Sequence, residues 1–397
     1  MNLTEKEQAM LDGKEGKLVQ KCMEVLVTLG EIYGADHMIE INNVHSPGVS
    51  YRVAGDAGLE YVKDASEQGG FCVPTTLNTI GIDSENWKDF FPEDFSLKQL
   101  ELNEAYQKLG AYSTYTCTPY LTGNIPLAGE HVAWGESSAI IFVNSVIGAR
   151  TNREGGPSAL AAAVTGRVPA YGYHLDENRR GTHLVHVEIE PKTDRDFAVL
   201  GYYVGQKVGT KVPVFTGIKK RPTLENFKAL GAALASSGGV ALYHVEGFTP
   251  ECPTKEAILK ETYEEFSFGQ PEYDSVVDKF TLDIPADLIV IGCPHCSINE
   301  FEQLSEALKV KKLKRDMWVC SSKQVKALAD RMGYSQDIEA AGARIVLDTC
   351  PILCPTSDKG YKAVATNSGK LAHYIRGLWN VKSALLQFED CITLALN

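Results

Sequence analysis

The apolar positions of the chain follow two spacings, which predict where helices and strands alternate. In residues 15–33, Leu18, Cys22 and Val25 recur at four- and three-residue intervals, as they do on one face of a helix. Short apolar runs such as 183–189 are typical of strands. Because the two patterns alternate along most of the chain, we predict an α/β fold with parallel-type sheets.

The other predicted elements before residue 280 are of ordinary length. They are strands at 38–41, 71–77, 139–143, 212–216 and 240–245, helices at 159–164, 196–208 and 224–236, and a charged connecting segment around 250–280 that indicates a domain boundary.

The last third of the chain repeats one arrangement, in which an apolar strand stops at a polar turn ahead of further structure. Strands are predicted at 287–291, 344–347 and 362–365, followed by the turns GCPHCS (292–297), DTCP (348–351) and TNSGK (366–370). The first and third turns precede helices predicted at 298–308 and from about 371. In a parallel sheet such turns meet at the carboxyl edge, where ligands bind.

The stretch 115–166 carries polar residues that a packed core has little use for. The predicted strand 139–143 lies between two segments rich in short polar side chains, Gly and Pro, and the second begins with Asn144 and Ser145. Loops of this kind build ligand sites in α/β proteins, although a pair of solvated loops has the same composition.

Length and charge limit the class of protein. A chain of 397 residues exceeds one core, and we expect three regions: 1–190 with 360–397 returning to it, 191–275, and 276–397. The net charge of -12 argues against nucleic-acid binding as the main task. No apolar run is long enough for a membrane span, and the charged N-terminus is unlike a signal peptide, so we expect a cytoplasmic protein.

Ten cysteines in such a protein are expected to be reduced. Five of them lie in apolar surroundings and are predicted to be core residues: Cys22, Cys72, Cys252, Cys320 and Cys391. The other five lie near polar turns: Cys117, Cys293, Cys296, Cys350 and Cys354.

Three of these cysteines stand at separate turns and precede Pro within two residues: Cys117, Cys293 and Cys350; Cys354, four residues after Cys350, also precedes a Pro. Three widely spaced thiolates suit an iron or iron–sulfur centre that keeps one coordination position open for substrate. The alternative is three buried cysteines that never meet. Cys293 and Cys296 also have the spacing of a redox pair, without other redox features.

Each of the other polar candidates has two interpretations, one functional and one structural. His45, His131 and His295 are acid–base groups or hydrogen-bonded structural residues, and Arg150, Arg153 and Lys370 are anion-binding or solvated. The glycine-rich signatures of ATP and NAD sites and the Gly-x-Ser-x-Gly elbow are missing from the sequence, so those chemistries are not supported.

Several long segments make the chain resemble the large subunit of the aconitase X family from end to end. They are TCTPY (116–120), GEHVAWGESSA (129–139), NSVIGARTNREGGPSALAAAVTGRVPAYG (144–172), GCPH (292–295), DTCP (348–351) and NSGKLAHY (367–374). The resemblance implies an aconitase-like multi-domain fold and a hydro-lyase whose iron–sulfur cluster is held by Cys117, Cys293 and Cys350. A [4Fe–4S] cluster is expected, with a smaller cluster or a mononuclear iron as alternatives. The roles of Cys296, Cys354 and His295 stay open.

The family contains cis-3-hydroxy-L-proline dehydratases and archaeal phosphomevalonate dehydratases, and the segment HSPGVSYRVAGDAGLEY (45–61) is similar to the archaeal branch. This resemblance implies dehydration of (R)-5-phosphomevalonate to trans-anhydromevalonate 5-phosphate, in isoprenoid synthesis. It also implies a substrate pocket lined by Gly48, Val49, Ser50, Asn78, Asn144, Ser145, Ser368, Gly369 and Lys370.

The catalytic base of aconitase-like enzymes is a serine on a separate swivelling domain, and nothing after residue 380 is long enough to be that domain. We therefore expect a small partner subunit that supplies the serine. Hydroxyproline dehydration is the alternative within the family. An iron–sulfur sensor or scaffold without turnover is the alternative outside enzymes, and the acidic charge counts against it when the ligand is RNA.

Overall fold

The structure is a computed structural model that describes residues 1–355 and 360–397. It is a mixed α/β protein, as predicted, and its larger sheets are parallel. Among the described residues, no helix is both long and apolar enough to cross a membrane.

The first part of the chain holds a small three-stranded parallel sheet and an antiparallel strand pair, covered by helices. Its helices are α1 (Glu5–Leu11), α2 (Lys17–Tyr33), α3 (Tyr51–Gln68), α4 (Glu93–Lys108), α5 (Ser137–Phe142), α6 (Gly156–Thr165) and α7 (Asp176–Arg179), and its strands are β1 (Met38–Glu40), β2 (Val44–Ser46), β3 (Thr75–Leu77), β4 (Ala133–Trp134) and β5 (Arg167–Pro169). The parallel order is β3-β2-β4, and β1 pairs with β5. The helix predicted at 15–33 is confirmed as α2, which buries Leu18, Cys22 and Leu26.

The strand predicted at 139–143 is wrong, because this segment is helical. It forms α5, which continues as a π-helical turn over Val143–Ile147. The Glu136 side chain caps the helix by accepting a hydrogen bond from the Ala139 N–H at 2.7 Å. All residues from Ser138 to Phe142 are buried, so the run shows no polar face that would reveal a helical period.

The middle of the chain forms a four-stranded parallel sheet in the order β8-β7-β6-β9. Its strands are β6 (Gly181–Val187), β7 (Pro213–Thr216), β8 (His244–Val245) and β9 (Leu259–Phe268), and its helices are α8 (Asp194–Val208), α9 (Leu224–Gly238), α10 (Lys255–Ile258) and α11 (Gln270–Lys279). The charged segment around 250–280 is therefore not a plain connection. Strand β9 lies at the sheet edge with most side chains exposed, which explains why its sequence reads as a linker.

The last part of the chain forms a five-stranded parallel sheet in the order β12-β11-β10-β13-β14. Its strands are β10 (Leu288–Ile291), β11 (Asp316–Ser321), β12 (Arg344–Leu347), β13 (Ala363–Thr366) and β14 (Lys382–Leu385), and its helices are α12 (Ile298–Leu308), α13 (Lys323–Met332), α14 (Tyr334–Ala341), α15 (Gly369–Trp379) and α16 (Phe388–Leu396). The strands predicted at 287–291, 344–347 and 362–365 are confirmed within a residue as β10, β12 and β13.

Strand order explains why the polar turns of this sheet meet. The chain leaves β10 towards β11 on one side, whereas β13 pairs with β10 on the other side. Loops that diverge in this way leave a crevice at the carboxyl edge of the sheet. The turns after β10 and β13, which carry Cys293 and Ser368, border that crevice.

The two faces of the same sheet bury different partners. Leu288 and Val290 point into a core that includes Leu77 and Tyr115 of the first part, whereas Ile289 and Ile291 face the core beneath α12, α14 and α16. The first part and the C-terminal sheet thus share one hydrophobic core, and Cys293 and Cys350 lie within it. The domain borders expected near 190 and 275 stay a prediction.

Candidate functional site at the carboxyl edge of the C-terminal sheet

Three loops bring Cys117, Cys293 and Cys350 together at the shared core. Cys293 follows β10, Cys350 follows β12, and Cys117 comes from the loop that precedes a short 3-10 turn at Pro119–Leu121. All three thiols are buried.

The loops of the three thiols are in contact, since the His295 N–H donates to Cys117 Sγ at 3.2 Å and Cys293 and Cys350 lie in one hydrophobic core. Burial raises the pKa of Cys117 to about 12, and the charges of Glu136 and Cys350 add to the rise. Burial also raises the pKa of Cys293 to about 12, with Cys117 contributing. The pKa of Cys350 is raised by burial and then by Cys293.

The donor set fits an iron–sulfur cluster better than a single ion. Among residues 1–355 and 360–397, no three His, Cys, Asp or Glu side chains are arranged to hold one metal ion. A single ion needs every thiolate within about 2.3 Å of one point, whereas a cluster binds each thiolate to a different iron and accepts wider spacing. Three buried thiols on separate loops are ligands of the type that such a cluster takes, and binding would release their protons.

Lys370 places a buried positive charge beside these thiols. Its ammonium group donates to Glu136 Oε1 at 2.5 Å, to Ser138 Oγ at 2.7 Å and to Ser137 Oγ at 3.2 Å. Burial would lower the pKa of Lys370, but Glu136, Cys293 and Cys117 together raise it, so the lysine is charged. Burial would likewise raise the pKa of Glu136, which Lys370 holds below its usual value.

The turn after β13 joins this group through Ser368 and Gly369. Ser368 caps α15 by accepting the Leu371 N–H at 3.1 Å, and its side chain counteracts part of the rise in the pKa of Cys293 that burial causes. Gly369 packs against Ala198 and Ala233, where an added Cβ would lie 3.3 and 3.2 Å from their Cβ atoms. The glycine thus keeps the turn close to α8 and α9.

The loop 47–50 lies against the segment that follows Cys350. The Ser50 hydroxyl donates to the Leu353 carbonyl at 3.4 Å, and Arg52 Nη1 donates to the Cys354 carbonyl at 2.7 Å. Gly48 has a φ of 72°, which favours glycine, and the Val49 carbonyl accepts from Gln99 Nε2 at 2.8 Å. The predicted residues Gly48, Val49 and Ser50 are therefore held at the edge of the thiol cluster.

Asn78 stands at the end of β3, beside the end of β2. Its N–H donates to the Ser46 carbonyl at 3.0 Å, and its side-chain oxygen accepts from Thr79 Oγ1 at 3.4 Å. Two residues later the Ile80 N–H donates to the Asp348 carbonyl at 2.9 Å. This loop therefore also contacts the turn that carries Cys350.

Asn144 and Ser145 lie in the π-helical turn after α5, and their side chains bind the protein itself. Asn144 donates to the Thr151 and Ala241 carbonyls at 3.0 and 2.9 Å, and Ser145 accepts the Tyr243 N–H at 2.9 Å. These contacts favour a structural role. Direct contact of the two residues with substrate stays a prediction.

The other candidates separate clearly by position. His131 contacts His174, Arg150 bonds to Asp176, and Arg153 bonds to the Gly239 carbonyl, so these three form structural links. Three further buried thiols lie near Cys293 and Cys350. They belong to Cys296, Cys320 and Cys354.

Cys72 corrects one expectation, because it is exposed rather than a core residue. It lies at a bend before β3, where the chain passes over the surface. The sequence reasoning also missed Glu136 as the partner of Lys370, and Thr116 as a partner of His295. No local signal in the sequence points to these two partners, because each pair joins residues far apart in the chain.

His295 lies among the three cysteine loops. Its Nδ1 is 3.0 Å from Thr116 Oγ1, its Nε2 is 3.1 Å from the Thr349 carbonyl oxygen, and its backbone N–H donates to Cys117 Sγ at 3.2 Å. Burial lowers the pKa of His295 to about 4, so the ring is neutral at pH 7.

A surface cavity of about 880 Å³ adjoins the crevice at Cys293 and Ser368. The two share Asp194, Glu225 and Asn367 in their walls. The crevice itself holds only about 20 Å³, so the large cavity comes near Cys293 and Ser368 on this side without reaching them.

Asp194 in this shared wall is expected to destabilise the fold above pH 6. Burial raises its pKa to about 6, with Glu300 adding to the rise. Between about pH 4 and 6 the folded chain holds a proton that the unfolded chain has lost, so stability falls as pH rises through this window. Asp194→Asn should increase the free energy of unfolding at pH 7.5 by about 1–2 kcal/mol, and have little effect at pH 4.

Denaturant unfolding at both pH values measures this effect. Asp196→Asn on the same helix is the matched control, because hydrogen bonds from Lys192, Tyr273 and Thr193 hold the pKa of Asp196 below its usual value despite burial. Asp196→Asn should lower stability at pH 7.5. Equal effects of the two substitutions would contradict the assignment.

Comparison with known proteins gives matches along nearly the whole chain. Three family models match: Aconitase X first domain over residues 1–177, Aconitase X second domain over 181–278, and Aconitase X third domain over 286–397. The phosphomevalonate dehydratase large subunit of Methanocaldococcus jannaschii is 48% identical over 94% of this chain and 95% of its own. The cis-3-hydroxy-L-proline dehydratase of Pseudomonas aeruginosa is 33% identical over 98% of this chain and 69% of its own. The crystal structure of Thermococcus kodakaraensis aconitase X (holo-form) superposes with a TM-score of 0.92 at 44% identity, covering all of both chains.

Proposed function

The chain belongs to the aconitase X family of dehydratases, and on that premise we propose that it is the large catalytic subunit of an enzyme that dehydrates (R)-5-phosphomevalonate. The product is trans-anhydromevalonate 5-phosphate, which would serve isoprenoid synthesis. The observation that carries the proposal is the meeting of Cys117, Cys293 and Cys350 beside the loop 47–50 and the buried Lys370. Relatives named phosphomevalonate dehydratase large subunit support the choice of substrate, since they are more similar to this chain than the hydroxyproline dehydratases are.

In this proposal Cys117, Cys293 and Cys350 hold an iron–sulfur cluster, most simply [4Fe–4S]. Dehydration of a β-hydroxy acid needs help with a poor leaving group, hydroxide, and with a weakly acidic α-proton. When bound, the cluster supplies a Lewis acid for the hydroxyl and carboxylate oxygens.

The residues of the chain bind and orient the substrate. Ser50 and Ser368 offer hydroxyl groups, while Gly48, Val49 and Gly369 offer backbone N–H groups that suit a carboxylate or phosphate. The side chain of Asn78 completes this lining. Lys370 acts by charge, because its three N–H donors already point to Glu136, Ser137 and Ser138. The side chains of Asn144 and Ser145 hold the π-helical turn after α5 against Ala241 and Tyr243, which precede β8.

The base comes from a small partner subunit that contributes a serine. The names of the relatives, "large subunit", imply a small one. The hydroxyproline dehydratases support the same idea, because almost all of this chain aligns with only about two thirds of their length. A partner that covers the crevice would also exclude water from the reaction.

Reconstitution tests the proposal. The chain is produced with and without its small subunit, loaded with iron and sulfide under anaerobic conditions, and assayed with (R)-5-phosphomevalonate and with cis-3-hydroxy-L-proline. We expect turnover of phosphomevalonate by the pair, and a rate about 10²- to 10⁴-fold lower for the large subunit alone, which lacks the base. Hydroxyproline should react at least about a hundredfold more slowly.

Three results would contradict the proposal. A large subunit that works at full rate alone would remove the role of the partner. Preference for hydroxyproline would change the substrate. Tight binding of a cluster without turnover of either compound would favour a sensor or scaffold.

A further inference from the structure

His295 is a buried side chain that connects the three loops bearing the thiols. It belongs to the loop of Cys293, and its two ring nitrogens contact the residues directly before the other two cysteines. Nδ1 lies 3.0 Å from Thr116 Oγ1, and Nε2 lies 3.1 Å from the Thr349 carbonyl oxygen. No part of the proposed reaction uses this imidazole.

Hydrogen-bond chemistry fixes the state of the ring. A carbonyl oxygen can only accept, so Nε2 carries the hydrogen that bonds to Thr349. Nδ1 then accepts from the Thr116 hydroxyl, which in turn accepts the Thr118 N–H at 3.2 Å. Both nitrogens are thus satisfied by neighbours of the cysteines, and the neutral ring is held in one orientation.

The backbone of His295 adds two further connections. Its N–H donates to Cys117 Sγ at 3.2 Å, and its carbonyl accepts from Lys228 Nζ at 3.2 Å. Lys228 belongs to α9 and forms a buried ion pair with Glu300 of α12. The residue is therefore anchored to the middle part of the chain as well as to the cysteine loops.

We propose that His295 is a positioning residue and not a metal ligand. It fixes the spacing of the three thiols before a metal centre is bound, and it slows the loss of that centre afterwards. This inference rests on the proposed cluster site. Outer partners that orient metal ligands typically change metal affinity by about 10–100-fold when they are replaced. Loss of the imidazole removes the side-chain hydrogen bonds to the Cys117 loop and to the Cys350 loop at once, while the backbone bond to Cys117 Sγ remains.

Two conservative substitutions each remove one of the two side-chain hydrogen bonds of His295 and can keep the other. Asn places its amide near the position of Nδ1, so His295→Asn can keep the Thr116 contact and loses the Thr349 contact. Gln reaches the position of Nε2, so His295→Gln can keep the Thr349 contact and loses the Thr116 contact. Each should show a smaller defect than His295→Ala.

The experiment loads the large subunit anaerobically and measures the rate at which a chelator removes iron, together with the absorption and electron paramagnetic resonance spectra of the bound centre. We expect His295→Ala to release iron about 10–100-fold faster than the unmodified chain. His295→Asn and His295→Gln should fall between the two, with altered spectra.

The matched control is His244→Asn. His244 is also fully buried and also bonds a carbonyl through Nε2, that of Arg179 at 2.8 Å, but it lies in β8 away from the thiols. The His244→Asn variant should release iron at a rate within about twofold of that of the unmodified chain. Equal release by the unmodified chain and His295→Ala would overturn the proposal, as would equal loss from His295→Ala and His244→Asn.

A second measurement uses the metal-free chain and keeps this inference separate from the proposed function. A thiol reagent followed by mass spectrometry reports how fast Cys117, Cys293 and Cys350 react. If His295 fixes the loops, His295→Ala should increase their reaction rates at least about tenfold, while the rate at exposed Cys72 stays unchanged. If the unmodified chain binds no iron but His295→Ala still exposes the three thiols, the cluster proposal fails and the positioning role stands; unchanged rates would reject it.

Discussion

Replacing Cys117, Cys293 or Cys350 singly by Ser is expected to remove most of the bound iron, and dehydratase activity with it. A thiolate is a far better ligand for iron–sulfur centres than a hydroxyl group. Each thiol comes from a different loop, so none of the three is placed to take over the position of another. We expect each variant to keep at most about a tenth of the iron, measured by iron and sulfide analysis after anaerobic loading.

Two other cysteines provide the controls. Cys391 is fully buried in α16 but lies in the core on the far face of the sheet, and Cys72 is exposed. Cys391→Ser should cost about 1–3 kcal/mol of stability, because a hydroxyl enters an apolar core, and should leave the iron content unchanged. Cys72→Ser should change neither the stability nor the iron content. If Cys296 or Cys354 proves necessary for iron while one of the three does not, the assignment of ligands is wrong.

Replacing Lys370 is expected to have two separable effects. Lys370→Met leaves the Glu136 carboxylate buried without its counter-ion, which typically costs about 3–5 kcal/mol. It also removes the positive charge beside the substrate pocket, so the KM for phosphomevalonate should rise at least about tenfold. Denaturant unfolding measures the first effect and steady-state kinetics of the reconstituted pair the second.

The double variant Lys370→Met/Glu136→Gln distinguishes these effects. It removes the unpaired charge, so much of the lost stability should return, while the KM stays high because the ammonium group is still missing. Iron content should remain close to that of the unmodified chain in the double variant. Recovery of the KM together with stability would show that Lys370 supports the fold only.

The sequence predicted three of the five strands of the C-terminal sheet, because each of these three buried strands leaves an unbroken apolar run that ends at Gly or at a polar turn, whereas β11 and β14 were not predicted. Strands β10, β12 and β13 were found in this way, along with the turns that carry Cys293, Cys350 and Ser368. These turns had to lie at one edge once the strands were parallel. The residues alone left open whether Cys117 approaches these turns, and the family resemblance implied that it does, since the approach depends on how two parts of the chain pack.

The failures have physical causes as well. The segment of α5 is buried from Ser138 to Phe142 and therefore has neither helical nor strand periodicity, and its N-cap residue, Glu136, is not one of the types that usually mark the start of a helix. Strand β9 is exposed at an edge and looks like a linker. The pairing of Lys370 with Glu136 and that of His295 with Thr116 join residues far apart in the chain, and no local pattern encodes such partners.

The three thiols come from distant parts of the polypeptide, and Cys350 is the last of them to be made. A growing chain on the ribosome thus lacks a complete site until the C-terminal sheet has been synthesised and has docked against the N-terminal part. In the proposed function, iron and sulfide therefore bind only after nearly the entire subunit has folded, and a fragment that stops before β12 would lack one of the three proposed ligands.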